Sequence, residues 1–207
     1  MSSQTQRYKT VLLFGAPGAG KGTQGAVLGR IPGFFHCACG DVFRQININS
    51  ELGKIFYEYS SRGHLVPDDV TIKMWLENIT AQTVLGAYKP KDDLLVLDGI
   101  PRTVEQAEII KSHVDVYQVI HLVCNDQNEM IHRLRRRALK ENRFDDADEK
   151  VIRNRWNVYE AETKPVLEVF GKKLVVEVNA MGSPAQVLKD ILEYLIPVQN
   201  AHFAKFE

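Results

Sequence analysis

Near the amino terminus, Gly15-Ala16-Pro17-Gly18-Ala19-Gly20-Lys21-Gly22-Thr23 has the composition of a phosphate cradle. Glycines at 15, 18, 20 and 22 let successive backbone N–H groups turn inward around phosphate oxygens. Lys21 has the length to reach a β- or γ-phosphate. The spacing Gly15-x4-Gly20-Lys21 is that of a P-loop. Gly22 stands where that pattern has Ser or Thr, so Thr23 is the nearest hydroxyl for a bound Mg2+.

A second concentration lies further on. Arg133, Arg135, Arg136, Arg137, Arg143, Arg153 and Arg155 fall within 23 residues, on a chain whose 26 Lys+Arg balance 26 Asp+Glu. On a neutral molecule such a cluster suits an anionic ligand. Phosphoryl transfer needs cationic donors around the equatorial oxygens and no covalent nucleophile. Arg135, Arg136 and Arg153 have acidic neighbours in Glu141, Asp145, Asp146, Asp148 and Glu149 and read equally well as a solvated face. Between the two groups, Asp98 closes an apolar run and precedes Gly99-Ile100-Pro101-Arg102. A carboxylate at a strand end can hold Mg2+ through water, or simply cap a turn. Arg102 offers a planar fork of donors to a phosphate.

These residues need a scaffold, and the apolar pattern supplies one. Strands are expected at 10–14, 34–38, 94–97, 119–123 and 174–178. Helical patterns cover 21–28, 69–84, 104–113, 129–139, 148–170 and 184–195. Alternation of the two implies an α/β fold with a parallel sheet covered on both faces. Residues 38–67 carry helix without strand and 138–147 form a polar loop. Both suit inserts at strand carboxyl ends, where open α/β sheets bind ligands. Trp75 and Trp156 are expected to pack, and Cys37 and Cys124 to be small buried apolar side chains.

At the phosphate loop the chain resembles an adenylate kinase, and further motifs follow in that family's order. They are Gly40-Asp41-Val42-Phe43-Arg44, Gly63-His64-Leu65-Val66-Pro67-Asp68, Asp98-Gly99-Ile100-Pro101-Arg102-Thr103 and Gln106. The resemblance implies a P-loop kinase fold with a five-stranded parallel sheet, whose core would be 1–37, 68–136 and 148–207. It implies a mobile monophosphate-binding insert at 38–67 and a short mobile lid at 137–147, too short for the zinc site of long lids. The implied reaction is the Mg2+-dependent, reversible conversion of ATP and AMP to two ADP.

Residue roles follow from the same resemblance. Gly18, Ala19, Gly20, Lys21, Gly22, Thr23, Arg133, Arg137 and Gly182 would serve ATP. Cys39, Arg44, His64, Leu65, Val66, Gly99, Ile100, Pro101, Arg102, Gln106, Arg143 and Arg155 would serve AMP, Gln106 at the adenine edge. Lys21, Arg102, Arg143 and Arg155 would be catalytic, with Asp98 on Mg2+ through water. Three departures stand out. Cys39 replaces the family's usual Thr, Asn142 replaces a common Gly, and the Arg143-to-Arg155 gap is one residue longer than usual. UMP/CMP kinases carry Ala at the Cys39 position, which keeps a pyrimidine monophosphate kinase as the alternative. A nucleotide-dependent regulatory protein without turnover is the remote one.

Composition bounds the rest. With 207 residues and 44% apolar content, one domain with small excursions can bury a core without disulfides. Three cysteines and a polar stretch at 1–9 are expected of a cytoplasmic protein. A balanced net charge gives no field for nucleic acid or membrane, and a monomer is expected. No N-K-x-D element of a GTPase occurs.

Overall fold

The structure, a computed structural model, describes residues 7–141, 143, 146 and 148–204. Five strands form one sheet: β1 (Tyr8–Gly15), β2 (Phe34–Ala38), β3 (Leu94–Asp98), β4 (Val114–Val123) and β5 (Val175–Asn179). Their order is β2-β3-β1-β4-β5 and every pairing is parallel. β1 lies between β3 and β4, so the connections on its two sides leave in opposite directions. That makes its carboxyl end the switch point where such sheets leave a crevice.

Continuous apolar runs read as strands here because both faces are covered. Val11 and Leu13 join Leu94, Val96, Ile120 and Leu122 in one core, completed by Leu28, Met130, Val187, Ile191 and Leu195. Leu12 and Phe14 join Leu95, Leu97 and Val119 in the other, with Trp75, Ile79, Ala107, Ile110 and Val166. Period-two alternation thus sends neighbouring residues of one strand into different cores. Each such leucine adds about 2 kcal/mol by leaving water.

The helices are α1 (Lys21–Leu28), α2 (Cys39–Gln45), α3 (Glu51–Ser60), α4 (Asp68–Val84), α5 (Val104–Ile110), α6 (Gln127–Glu141), α7 (Glu149–Val158), α8 (Val166–Phe170) and α9 (Pro184–Phe203). Several start where the sequence provides a cap. The side chains of Ser50, Thr103, Asp148 and Ser183 accept from Gly53, Gln106, Lys150 and Gln186 N–H, respectively.

Four expectations need correction. The polar loop expected at 138–147 is helix at its start, because α6 continues to Glu141. The helical pattern at 148–170 is not one helix: α7 passes into a π-helical turn, Tyr159–Thr163, before α8. Pro165 has no N–H to give, and Lys164 N–H instead reaches back to the Tyr159 carbonyl at 2.8 Å. The helix expected at 104–113 stops at Ile110, and β4 begins at Val114, five residues before the expected start. The last helix continues past Leu195, through Pro197, to Phe203.

Tertiary contacts hold those last turns despite the missing donor. Gln199 Nε2 donates to the Pro32 carbonyl at 2.8 Å. The buried His202 accepts at Nδ1 from Lys9 Nζ (3.2 Å), which leaves Nε2–H to donate to the Asp92 carbonyl (3.0 Å). Trp75 is buried and Trp156 packs against a core, while Cys37, Cys39 and Cys124 are buried free thiols. Residues 142, 144, 145 and 147 of the expected lid lie outside the described residues.

Candidate active site

β1 ends at Gly15 and α1 starts at Lys21, so the glycine-rich turn joins a central strand to a helix amino terminus. Gly18 and Gly20 have φ of 89° and 95°, which side-chain-bearing residues rarely adopt. A Cβ on Gly18 would also come within 3.0 Å of the Met130 carbonyl, so the turn lies flat against α6. No side chain caps α1 and no acidic residue occupies its first turn. Its first N–H groups and its positive end are therefore open to an anion.

Lys21 curls over this turn, Nζ donating to the carbonyls of Gly15 (2.5 Å) and Ala16 (3.3 Å). Burial pushes its ammonium down to about 8; Asp98 opposes the fall, while Arg102, Arg137 and Arg155 deepen it. A cation short of anionic neighbours is prepared to gain from a phosphate.

Asp98 is buried at the end of β3, level with Leu13 of β1. Burial alone would raise its carboxyl, but His36, Lys21 and Arg102 outweigh that and hold it below the usual carboxylate range. His36 Nε2 stands 3.8 Å from Oδ2. A Cβ added to Gly22 would already touch the same oxygen at 3.8 Å, so the bare glycine leaves room beside the carboxylate. An ionised carboxylate with room for water beside a phosphate loop fits Mg2+, which keeps several waters and takes few protein ligands. Asp98 through water and the Thr23 hydroxyl are the groups that would hold it.

A cleft open to solvent runs from Lys21 between the 38–67 segment and the end of β3. Of the residues singled out for the monophosphate, Cys39, Arg44, His64, Leu65, Val66, Gly99, Pro101, Arg102, Gln106 and Arg155 line it. Ile100 and Arg143 do not: Ile100 is buried in the core with Leu95 and Leu97, and Arg143 is paired with Asp41 and Glu141. Burial pushes the Cys39 thiol up to about 12, so it faces the cleft neutral, with a weak S–H donor in place of a hydroxyl.

Sequence reasoning missed the aromatic wall of this cleft. Phe43 and Phe56 line it with rings 5.1 Å apart and 8° from parallel. Tyr159 and Thr163 line it from the π-helical turn. Phe43 was inside a quoted motif, but nothing local showed that Phe56 would return to stack on it.

Arg102 Nε donates to the Gly99 carbonyl at 2.8 Å, which aims the guanidinium back over the loop. Arg44 bonds Asp41 Oδ1 at 2.9 Å, and Arg143 reaches the same oxygen at 3.3 Å while pairing with Glu141 at 2.6 Å. Arg143 and α2 therefore meet at Asp41. Arg137 (2.5 Å) and Arg155 both bond the carboxylate of Asp146, one on each oxygen. Asp146 is fully buried between them. Arg135 and Arg153 pair with Glu149 at the surface, and Arg136 is exposed. Of Arg153 and Arg155, only Arg155 faces the cleft.

On the far side of the loop, Arg133 donates to the Ala180 carbonyl at 2.8 Å and to Glu129 at 2.9 Å. This ties α6 to the turn containing the exposed Gly182. Among the described residues, no cluster of three or more His, Cys, Asp or Glu could hold a metal, and no helix is long and apolar enough to cross a membrane.

Comparison with known proteins agrees with this geometry. A family model described as adenylate kinase matches residues 13–175. An adenylate kinase of Kocuria rhizophila is 37% identical over 191 residues, covering 89% of this chain and 97% of its own. One from Parabacteroides distasonis is 35% identical over 190 residues (88% and 95%), and one from Flavobacterium psychrophilum 33% over 192 (89% and 97%). Matched over most of its length by both the family model and named relatives, the chain belongs to the adenylate kinase family.

Proposed function

We propose that the protein is an adenylate kinase that transfers the γ-phosphoryl group of ATP to AMP, reversibly, giving two ADP. The observation that carries this reading is one cleft walled by Lys21, Arg102 and Arg155. In it, an oxygen of the AMP phosphate attacks the γ-phosphorus in line. The bond between γ-phosphorus and the β–γ bridging oxygen breaks, and ADP leaves with that oxygen. No side chain is covalently modified.

The phosphate loop and the amino end of α1 hold the β- and γ-phosphates, with Lys21 exchanging its carbonyl partners for phosphate oxygens. Arg44 and Arg102 grip the AMP phosphate, and Arg143, Arg155 and Arg137 neutralise the group in flight. Asp98 and Thr23 would hold Mg2+, which when bound neutralises charge on the β- and γ-phosphates. Arg133 and the Gly182 turn support the base of ATP, and Gln106 reads that of AMP. The inserts at 38–67 and 137–147 close over both substrates and exclude water, so that AMP rather than water receives the phosphoryl group. The reading includes a cytoplasmic monomer, in keeping with three buried thiols that remain free.

Initial rates with ATP, Mg2+ and each of AMP, UMP, CMP and GMP test this. AMP is expected to be preferred by about 100-fold or more in kcat/KM. A faster rate with UMP or CMP, or ATP hydrolysis outrunning transfer to AMP, overturns it.

A further inference from the structure

Gln106 is buried, and its amide is held at both ends. Oε1 accepts from the backbone N–H of Arg102 at 2.8 Å, and Nε2 donates to Asp68 Oδ1 at 2.6 Å. The other oxygen of Asp68 accepts from Thr103 Oγ1 at 2.8 Å, and that hydroxyl in turn accepts from Gln106 N–H at 3.0 Å as the cap of α5. Asp68 thus reaches from the first residue of α4 to a residue 38 positions away. An amide offers two N–H donors and two acceptor lone pairs. These bonds consume one of each and leave one of each for the cleft that Gln106 lines.

The orientation matters more than the bonds. The free edge of a primary amide carries a donor and an acceptor side by side. One orientation matches a 6-aminopurine, whose amino group donates and whose N1 accepts. Rotated by 180°, the same amide matches a 6-oxopurine, whose O6 accepts and whose N1–H donates. A freely turning glutamine therefore cannot distinguish the two. Here rotation would set Oε1 against the Asp68 carboxylate and Nε2–H against the Arg102 N–H, two repulsive contacts in a buried place.

We propose that Asp68 is a positioning residue that locks the Gln106 amide in one orientation and so makes the site select a 6-amino over a 6-oxo purine monophosphate. This rests on the proposed adenylate kinase reading, in which the acceptor base meets Gln106.

The test compares AMP with IMP, which differ only at that edge, in steady-state assays with ATP and Mg2+. Asp68→Ala is expected to narrow the AMP-to-IMP ratio of kcat/KM about tenfold or more and to raise KM for AMP. KM for ATP should hold within about twofold. Asp68→Asn, which keeps an acceptor for Nε2, should retain most of the wild-type ratio. In a Gln106→Ala background, adding Asp68→Ala should move the ratio less than about twofold, because there is no amide left to orient. Should Asp68→Ala fail to fold, Asp68→Ser carries the same expectation, since serine is too short to reach the amide but is favoured at a helix start. A wild-type ratio in both short variants, or equal narrowing with and without Gln106, overturns the proposal. Failure of the enzyme reading looks different: wild-type protein would not phosphorylate AMP.

Discussion

The end of β3 and the arginine-rich segment hold their polar groups in opposite ways. At the end of β3, Arg102 and Gln106 are aimed by the Gly99 carbonyl, the Arg102 N–H and Asp68. None of these partners need leave when a ligand arrives. In the arginine-rich segment, Arg137 and Arg155 are held by Asp146, and Arg143 by Asp41 and Glu141. Those carboxylates occupy donors that a phosphate needs. One end is preorganised, whereas the other is satisfied by protein and must exchange partners. On the proposed roles, recognition of the acceptor base would draw on fixed dipoles, and transfer on cations freed when these partners exchange.

The largest break in this contrast is expected at the point common to both substrates. Lys21→Met should lower kcat about 1,000-fold, since no other cation sits within the loop. The pH profile checks the same residue. Its charged form disappears as pH rises through about 8, so kcat/KM for ATP, which reports free enzyme, should fall above that pH. Between about 8 and 10.5 the unfolded chain binds the proton and the folded one does not, so the Lys21 contribution makes the unliganded protein more stable as pH rises. Full transfer activity in the Met variant removes Lys21 from the mechanism.

A smaller effect separates Arg155 from its neighbour two residues earlier. Arg155→Ala should reduce kcat about 100-fold. Arg153→Ala should leave kcat and the melting temperature within about twofold and 1 °C, because its pair with Glu149 is solvated. Equal losses in the two would place the working arginine elsewhere.

The smallest effect is on stability and measures the exchange of partners directly. Asp146→Asn leaves Arg137 and Arg155 facing each other around a neutral amide. Unliganded protein should lose about 1–3 kcal/mol, seen as about 2–4 °C of melting temperature per kcal/mol. ATP with AMP should restore more of that loss than they add to wild type. An unchanged melting temperature would show that the carboxylate does not hold the arginines in the absence of substrate.

What could be read in the sequence follows how local each signal is. The phosphate loop was legible because glycine placement, a preceding apolar run and a lysine all lie within nine residues of Gly15 to Thr23. All five strands were found, since burial on both faces leaves unbroken apolar runs. The first half of β4 escaped because Asp115, Tyr117 and Gln118 interrupt it; that half is only partly covered. The helix end at Phe203 escaped because tertiary bonds, not propensity, hold the turns past Pro197. The Asp68 carboxylate lay inside a quoted motif, yet its partner was 38 residues away and no periodicity links the two. Asp146 likewise stood in an acidic run that read as solvated, and only the folded chain shows it buried.

Gly63 carries a consequence of another kind. Its φ is 75°, and a Cβ there would come within 2.9 Å of both the Val151 carbonyl and Arg155 Cγ. Asn154 also donates to the Arg62 carbonyl at 2.7 Å. The end of the 38–67 segment therefore rests directly on α7, which carries Arg155. On the proposed roles, the two substrates share a wall rather than facing each other across an empty gap. A shift of α7 that favours one substrate is then felt by the other, and thermodynamic linkage makes the influence equal in both directions. A methyl group at Gly63 would press on Val151 and Arg155 and should loosen that linkage.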